Sequence, residues 1–184
     1  MHSLNIELRS NRLSLKPISQ LYLDDFYEYS KITELYKFLE FKPFYNRSQS
    51  INYLNKLIDR SNGLDAQYWF ICEKNTGRAI GTIGVYEINQ VRKSAEIGYG
   101  ISPKKWGNGF FGESLQLLLS FLFNKLMLHR VMAKTDKNNF ASINALKAKE
   151  FLFEGTLKDF YFYPDSGWSD CEIYAILNRD VKKN

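Results

Sequence analysis

Residues 5–17 alternate around Ile6, Leu8, Leu13 and Leu15, the period of a half-buried strand, and Pro17 ends it. Residues 21–41 are helical in composition, with Asp24, Asp25 and Glu28 early, and Lys42-Pro43 breaks the helix. Ser48 is the expected cap of a second helix carrying Ile51, Leu54, Leu57 and Ile58, which stops before Ser61-Asn62-Gly63. Three strand-like runs follow at 68–73, 79–86 and 95–101. Asn75-Thr76-Gly77 and residues 89–93 separate them, which predicts an antiparallel meander. After Pro103 comes Gly107-Asn108-Gly109, then a long helix with Leu115, Leu118, Leu119, Leu122 and Leu126 on one face. A strand at 130–135, a short helix at 139–149 and two strands at 151–158 and 170–177 complete the chain. The expected order is β-αα-βββ-α-β-α-ββ, a mixed α/β fold.

The length of 184 residues suits one domain over 1–184. The net charge of +5 favours anionic ligands, yet the basic residues are dispersed with no run of five. A specific nucleic-acid partner therefore gains no support. Only Cys72, Cys171, His2 and His129 offer soft or imidazole ligands, too few for a disulfide scaffold or a structural zinc, so no metal is expected. The first twelve residues carry no apolar run, and the apolar stretch 115–128 is interrupted by Gln116, Ser120, Asn124 and Lys125. A cytoplasmic protein with no membrane partner is the expectation.

The strand, glycine turn and helix at the centre of the chain carry the chemistry. A helix N-terminus presents free N–H groups and a partial positive charge, so it can receive a phosphate. Trp106-Gly107-Asn108-Gly109-Phe110-Phe111-Gly112 fits that role, with Lys104 and Lys105 just before it, although an ordinary tight turn has the same composition. It is not a Walker loop, because no Gly-Lys-Ser/Thr follows. It is not a dinucleotide fingerprint either, because a meander precedes it where a βαβ unit is required.

The run Ala95-Glu96-Ile97-Gly98-Tyr99-Gly100-Ile101-Ser102-Pro103, followed by Trp106-Gly107-Asn108-Gly109, resembles the acetyl-CoA-binding core of the GNAT N-acetyltransferases. It is most similar to the group holding the ribosomal-protein and polyamine acetyltransferases. Residues 11–17, the start Asn139-Phe140-Ala141-Ser142-Ile143, residues 151–155 and residues 170–177 extend the likeness over nearly the whole chain. The resemblance implies a twisted, mostly antiparallel sheet of about seven strands with four helices and a V-shaped opening for CoA. The pyrophosphate would lie on N–H groups from Trp106 to Phe111. The pantetheine arm would run along Tyr99, Gly100 and Ile101 and reach Asn139. Lys104, Lys105 or Lys137 would meet the outer phosphate, or else be solvated.

Acetyl transfer needs a neutral amine, a proton acceptor, an oxyanion donor and a proton for the leaving thiolate. Glu96 is the candidate base, favoured by the resemblance and acting through water; the alternative is an ion pair with Arg92 or Lys93. Backbone N–H groups near Tyr99 to Ile101 would receive the oxyanion. Many GNAT members place a Tyr seven residues after the asparagine matching Asn139, where this chain has Leu146. Ser142 is then the candidate acid, as the resemblance to the ribosomal-protein branch implies, or simply a helix-start hydrogen-bonder. Tyr99 and Tyr174 are fallback acids. Phe111 replaces a usual small residue, and Ala148-Lys149-Glu150-Phe151 replaces a usual Lys-x-Gly-Phe.

The expected acceptor is a peptide or protein N-terminal amine; a small amine such as a polyamine, amino acid or aminosugar is the alternative. Asp24, Asp25 and Glu28 would draw a polyamine, or merely suit the helix dipole. Residues 161–168 read as an aromatic loop that lines the acceptor cleft or contacts a second copy in a homodimer. A catalytically silent acyl-CoA-binding domain is the remaining rival.

Overall fold

The computed structural model describes residues 5–180; His2 lies outside them. Eight strands form one sheet: β1 (Leu8–Arg9), β2 (Leu13–Pro17), β3 (Gln67–Glu73), β4 (Ala79–Asn89), β5 (Ser94–Ile101), β6 (Arg130–Asp136), β7 (Leu152–Tyr163) and β8 (Gly167–Leu177). The helices are α1 (Leu23–Ser30), α2 (Arg47–Ser61), α3 (Phe110–Asn124) and α4 (Phe140–Lys147). The spatial order is β1-β2-β3-β4-β5-β6-β8-β7. Every neighbouring pair is antiparallel except β5 with β6.

The mixed fold and element order match the sequence reading, with local differences. The first predicted strand is two, because residues 10–12 turn and Ser10 N–H bonds the Leu13 carbonyl. The predicted helix over 21–41 is α helix only to Ser30, and residues 33–36 form a separate 3-10 turn. The cap of α2 is Asn46, not Ser48. Its side chain accepts the Gln49 N–H while Gln49 reaches back to the Asn46 N–H, which satisfies two end groups reciprocally. The expected loop 161–168 is mostly strand, since β7 and β8 run on to a tight turn at 164–166.

β3 is buried along its whole length, and its period of two feeds two cores. Trp69 and Ile71 pack with Leu115, Leu118 and Leu122 of α3 on one face. Tyr68, Phe70 and Cys72 pack with Phe26 of α1 and Leu54 and Leu57 of α2 on the other. Both faces are thus covered, and the opening that matters lies within the sheet. β5 and β6 pair from Ser94 opposite Arg130 to Ile97 opposite Ala133, and then part. Beyond that point β5 stays bound to β4 as far as Ile101 opposite Gly81, while β6 stays bound to β8 as far as Asp136 opposite Cys171. Each strand follows its other neighbour, and a V opens between them.

Candidate active site

The V ends at the glycine turn before α3. Gly107 and Gly109 have φ of 76° and 73°, the left-handed region where a side chain is disfavoured. The Trp106 N–H already donates to the Pro103 carbonyl, so the loop's outward donors begin one residue later than the sequence implied. Glu113 N–H to the Gly109 carbonyl, 3.1 Å, opens the helical ladder. The N–H groups of Gly109, Phe110, Phe111 and Gly112 therefore have no intrahelical acceptor and face the cleft end with the positive pole of α3.

Side chains hold this turn in shape. Trp106 Nε1 donates to the Ile101 carbonyl at 2.8 Å, and Asn108 Nδ2 donates to the carbonyls of Lys105 and Trp106. Arg12 reaches across to donate to Glu113 at 2.7 Å and to the Asn108 carbonyl at 3.1 Å, and Ser10 also donates to Glu113. Burial opposes the Glu113 charge, but these Ser10 and Arg12 contacts outweigh it and hold the carboxyl below its usual pKa. Lys105 is paired with Glu73 and Lys137 with Asp170, so two of the three lysines expected at an outer phosphate already have carboxylate partners.

Above the turn, the free edge of β5 is exposed to the V. Ser102 N–H donates to the Ile80 carbonyl on the β4 side. Alternation then points the main-chain groups of Tyr99 and Ile101 away from β4, into the V. The Ile101 carbonyl is taken by Trp106, which leaves the Tyr99 N–H and carbonyl and the Ile101 N–H for an extended amide-bearing chain. The resulting cleft of about 420 Å³ is lined by Tyr99, Gly100 and Ile101, the glycine turn, and Asn139 and Ser142 of the α4 start. Asn139 caps α4, accepting the Ser142 N–H at 3.2 Å, and keeps its amide NH2 free.

At the apex Tyr99 Oη lies 2.7 Å from Ser142 Oγ. Burial pushes the Tyr99 phenol up to about 12, against a smaller opposing effect of the Ser142 bond, so it is protonated at neutral pH. Phe111 does not crowd the turn, because its ring packs on Tyr99 at a centroid distance of 4.1 Å. Leu146, at the place of the usual Tyr, is fully buried in the core. Glu150 stands at the place of the usual Gly and keeps a glycine-like φ of 64°.

Glu96 is 4% exposed and accepts two hydrogen bonds, from Tyr86 Oη at 2.9 Å and Lys134 Nζ at 2.8 Å. Its ion-pair partner is thus Lys134 on the neighbouring strand, and not Arg92 or Lys93. For Lys134, burial works against the charge, but the Glu96 bond and its field win and raise the ammonium pKa. One cavity borders this carboxylate, and a second lies on the far side of its partner Tyr86. The first, about 350 Å³, holds Glu96, Glu40, Asp136 and Lys134 among Phe38, Phe41, Phe160 and Tyr161. The second, about 310 Å³, lies between α1, α2 and the β4–β5 surface. Tyr99 lines both of these and the cleft, so the three spaces meet at one ring.

The structure thus brings Tyr99, Gly100, Ile101, Trp106, Gly107, Gly109, Phe110, Phe111, Asn139 and Ser142 to one cleft. Asn108 shapes the turn from behind, Glu96 lies in the adjoining cavity, and Tyr174 is buried, bonded to Glu172. Sequence reasoning missed Lys134, Tyr86 and Arg12. Lys134 carried no signal beyond charge, and Arg12 only its place in the first-strand likeness over residues 11–17. Among the described residues no helix is long and apolar enough to cross a membrane, and no three His, Cys, Asp or Glu side chains cluster to hold a metal.

A strand edge opened beside a glycine-turned helix start is what the resemblance to the GNAT acetyltransferases implied, and the comparisons bear on it directly. The GNAT acetyltransferase domain model matches residues 12–151, so the chain belongs to that family and is an N-acetyltransferase. It is 33% identical over 173 residues to the uncharacterized N-acetyltransferase p20 of Bacillus licheniformis, covering 94% of this chain and 97% of that one. Its fold is shared by a ribosomal-protein-S5-alanine acetyltransferase from Vibrio fischeri, with TM-score 0.82, 20% identity, and 97% and 100% of the two chains covered. It is also shared by a spermidine N-acetyltransferase from Vibrio cholerae solved with CoA and spermine, with TM-score 0.79, 20% identity, and 92% and 98% covered.

Proposed function

We propose that the chain binds acetyl-CoA in the V and transfers the acetyl group to a primary amine delivered from the Glu96 side. The carrying observation is the junction at Tyr99, where the cleft with its free strand edge and phosphate-suited turn meets the cavity that holds Glu96 and the aromatic cavity next to it. In this reading the pyrophosphate lies on the N–H groups from Gly107 to Gly112, and the pantetheine amides pair with Tyr99 and Ile101 as an added strand. The Asn139 amide NH2 donates to the same arm.

The amine nitrogen attacks the thioester carbonyl carbon, and the developing oxyanion meets the unpaired N–H groups of β5. As the carbon–sulfur bond breaks, the thiolate takes a proton from the Tyr99–Ser142 pair, whose phenol is protonated at working pH. Glu96 receives the amine's proton through water, because both its oxygens already hold direct partners. Lys134 holds Glu96 in place through its 2.8 Å contact.

A peptide N-terminus remains the first reading of the acceptor. β7 is an edge strand beside the acidic cavity, with Leu157, Phe160 and Phe162 exposed, and an extended peptide can lie along it. A small amine is the second reading, favoured by the aromatic cavity between α1, α2 and β4–β5. The test is thiol release from acetyl-CoA with peptides beginning in Ser, Thr or Ala, and with polyamines, amino acids and aminosugars, for the natural protein and Glu96→Gln. Release with one amine class, reduced in the variant, supports the reading. Tight acetyl-CoA binding without release favours a silent domain.

A further inference from the structure

The cavity between α1, α2 and the β4–β5 surface has a composition unlike that of its neighbour. Its walls are Phe26, Leu35, Phe41, Phe44 and other apolar groups, and Arg60 is the one charged side chain on its described lining. No carboxylate faces it. Burial raises the phenols of Tyr29, Tyr36, Tyr53, Tyr68 and Tyr86, so each keeps its proton at neutral pH, and those of Tyr36 and Tyr86 are already donated to the Ser30 carbonyl and to Glu96. The buried Tyr29 hydroxyl lies beside the Thr82 side chain on the same wall.

Arg60 is held beside two aromatic rings. Its guanidinium lies 5.4 Å from the Tyr68 ring centre and 5.6 Å from that of Tyr86. Two glycines make room for those rings. A Cβ on Gly84 would stand 2.2 Å from the Tyr68 ring, and one on Gly98 3.0 Å from the Tyr86 ring. Stacking occupies the faces of a guanidinium and leaves its in-plane N–H fork free. Among the described residues that fork makes no ion pair, whereas Arg78, Lys105 and Lys134 on the neighbouring clefts are each paired with a carboxylate. Tyr86 also donates to Glu96, so one ring connects the Arg60 stack to the candidate base.

We propose that this cavity binds the non-reacting part of the acceptor, and that Arg60 receives an anionic group, such as a carboxylate, separated from the reacting amine by an apolar spacer. The inference rests on the amine-acetylation reading and narrows its substrate class. A polycation is the wrong occupant here, since with one amine at Glu96 its second ammonium would meet Arg60, and no carboxylate stands on the cavity's described lining. An ω-amino acid, or a peptide with an acidic side chain, presents an amine at Glu96 and an anion at Arg60.

The test reads binding, so that it stands apart from turnover. The CoA-saturated protein is titrated calorimetrically with 4-aminobutanoate, 6-aminohexanoate and 8-aminooctanoate, each against the matching α,ω-diamine. At least one amino acid is expected to bind about tenfold more tightly than its diamine, the worth of one charge-assisted contact. Arg60→Gln should reduce that ratio to within about twofold, and Arg60→Lys should keep part of it. Melting temperature and acetyl-CoA affinity report whether the variants fold. Diamines binding as tightly as the amino acids, a ratio that survives Arg60→Gln, or no binding of any amino acid at millimolar concentration would each overturn the proposal. Failure of thiol release with every amine, while Arg60-dependent binding persists, would instead count against the transfer reaction.

Discussion

Lys134 Nζ stands 2.8 Å from Glu96 Oε2 across the one parallel strand pair of the sheet, just before that pair opens. The carboxylate is nearly buried and the ammonium partly exposed, so each depends on the other unequally. Glu96→Gln keeps the Tyr86 contact and removes the proton acceptor. We expect kcat to fall about a hundredfold with acetyl-CoA affinity unchanged, measured by steady-state kinetics and calorimetry. Lys134→Met leaves a buried carboxylate without its cation, and should cost about 2 kcal/mol in a urea melt.

The Tyr99 phenol supplies a pH prediction. Its folded pKa of about 12 lies above the ordinary 10, so stability from this group is complete below pH 10. That stability is lost as pH rises from 10 through about 12, where the unfolded chain ionises first. Tyr99→Phe should remove this part of the alkaline loss, read as melting temperature against pH. The same variant should lower kcat, and kcat of the natural protein should show no Tyr99 ionisation between pH 7 and 10.

Gly109 begins α3 from a left-handed conformation, with only the Arg12 guanidinium near where a Cβ would go, at 3.6 Å. Gly109→Ala therefore costs about 1 kcal/mol through backbone strain and not through a clash. Because the strain relaxes by moving the N–H groups, acetyl-CoA affinity should fall about tenfold. Calorimetric titration checks this.

Glu150 carries the opposite mismatch, a side chain at φ 64° after the end of α4. Glu150→Gly should raise stability by about 0.5–1 kcal/mol in chemical denaturation, with no change in acetyl-CoA affinity. A loss of stability would mean that the Glu150 side chain contributes more than its backbone costs.

Much of this site was legible because its parts are local. Gly107 and Gly109 announce positive φ, and Asn139 three residues before Ser142 announces a helix cap, whatever the rest of the chain does. Lys134 as partner of Glu96 was not legible, because it depends on the register of two strands separated by a whole helix. The nearer Arg92 and Lys93 competed for the same role. The Phe111 ring on Tyr99 was equally hidden, since only the packed fold decides which way that side chain turns. The lengths of β7 and β8 were misjudged because β7 is an exposed edge, where apolar residues face solvent and the inside-outside alternation is lost.

The central claim is that the acetyl group moves from sulfur to an amine nitrogen. The direct measurement is mass spectrometry of each amine in the panel after incubation with acetyl-CoA labelled in the acetyl group, alongside free-thiol titration. The account predicts labelled N-acetyl product from one amine class, one thiol released per label, and both rates reduced about a hundredfold in Glu96→Gln. Thiol release that yields only free acetate, or no label on any amine despite tight acetyl-CoA binding, would contradict it.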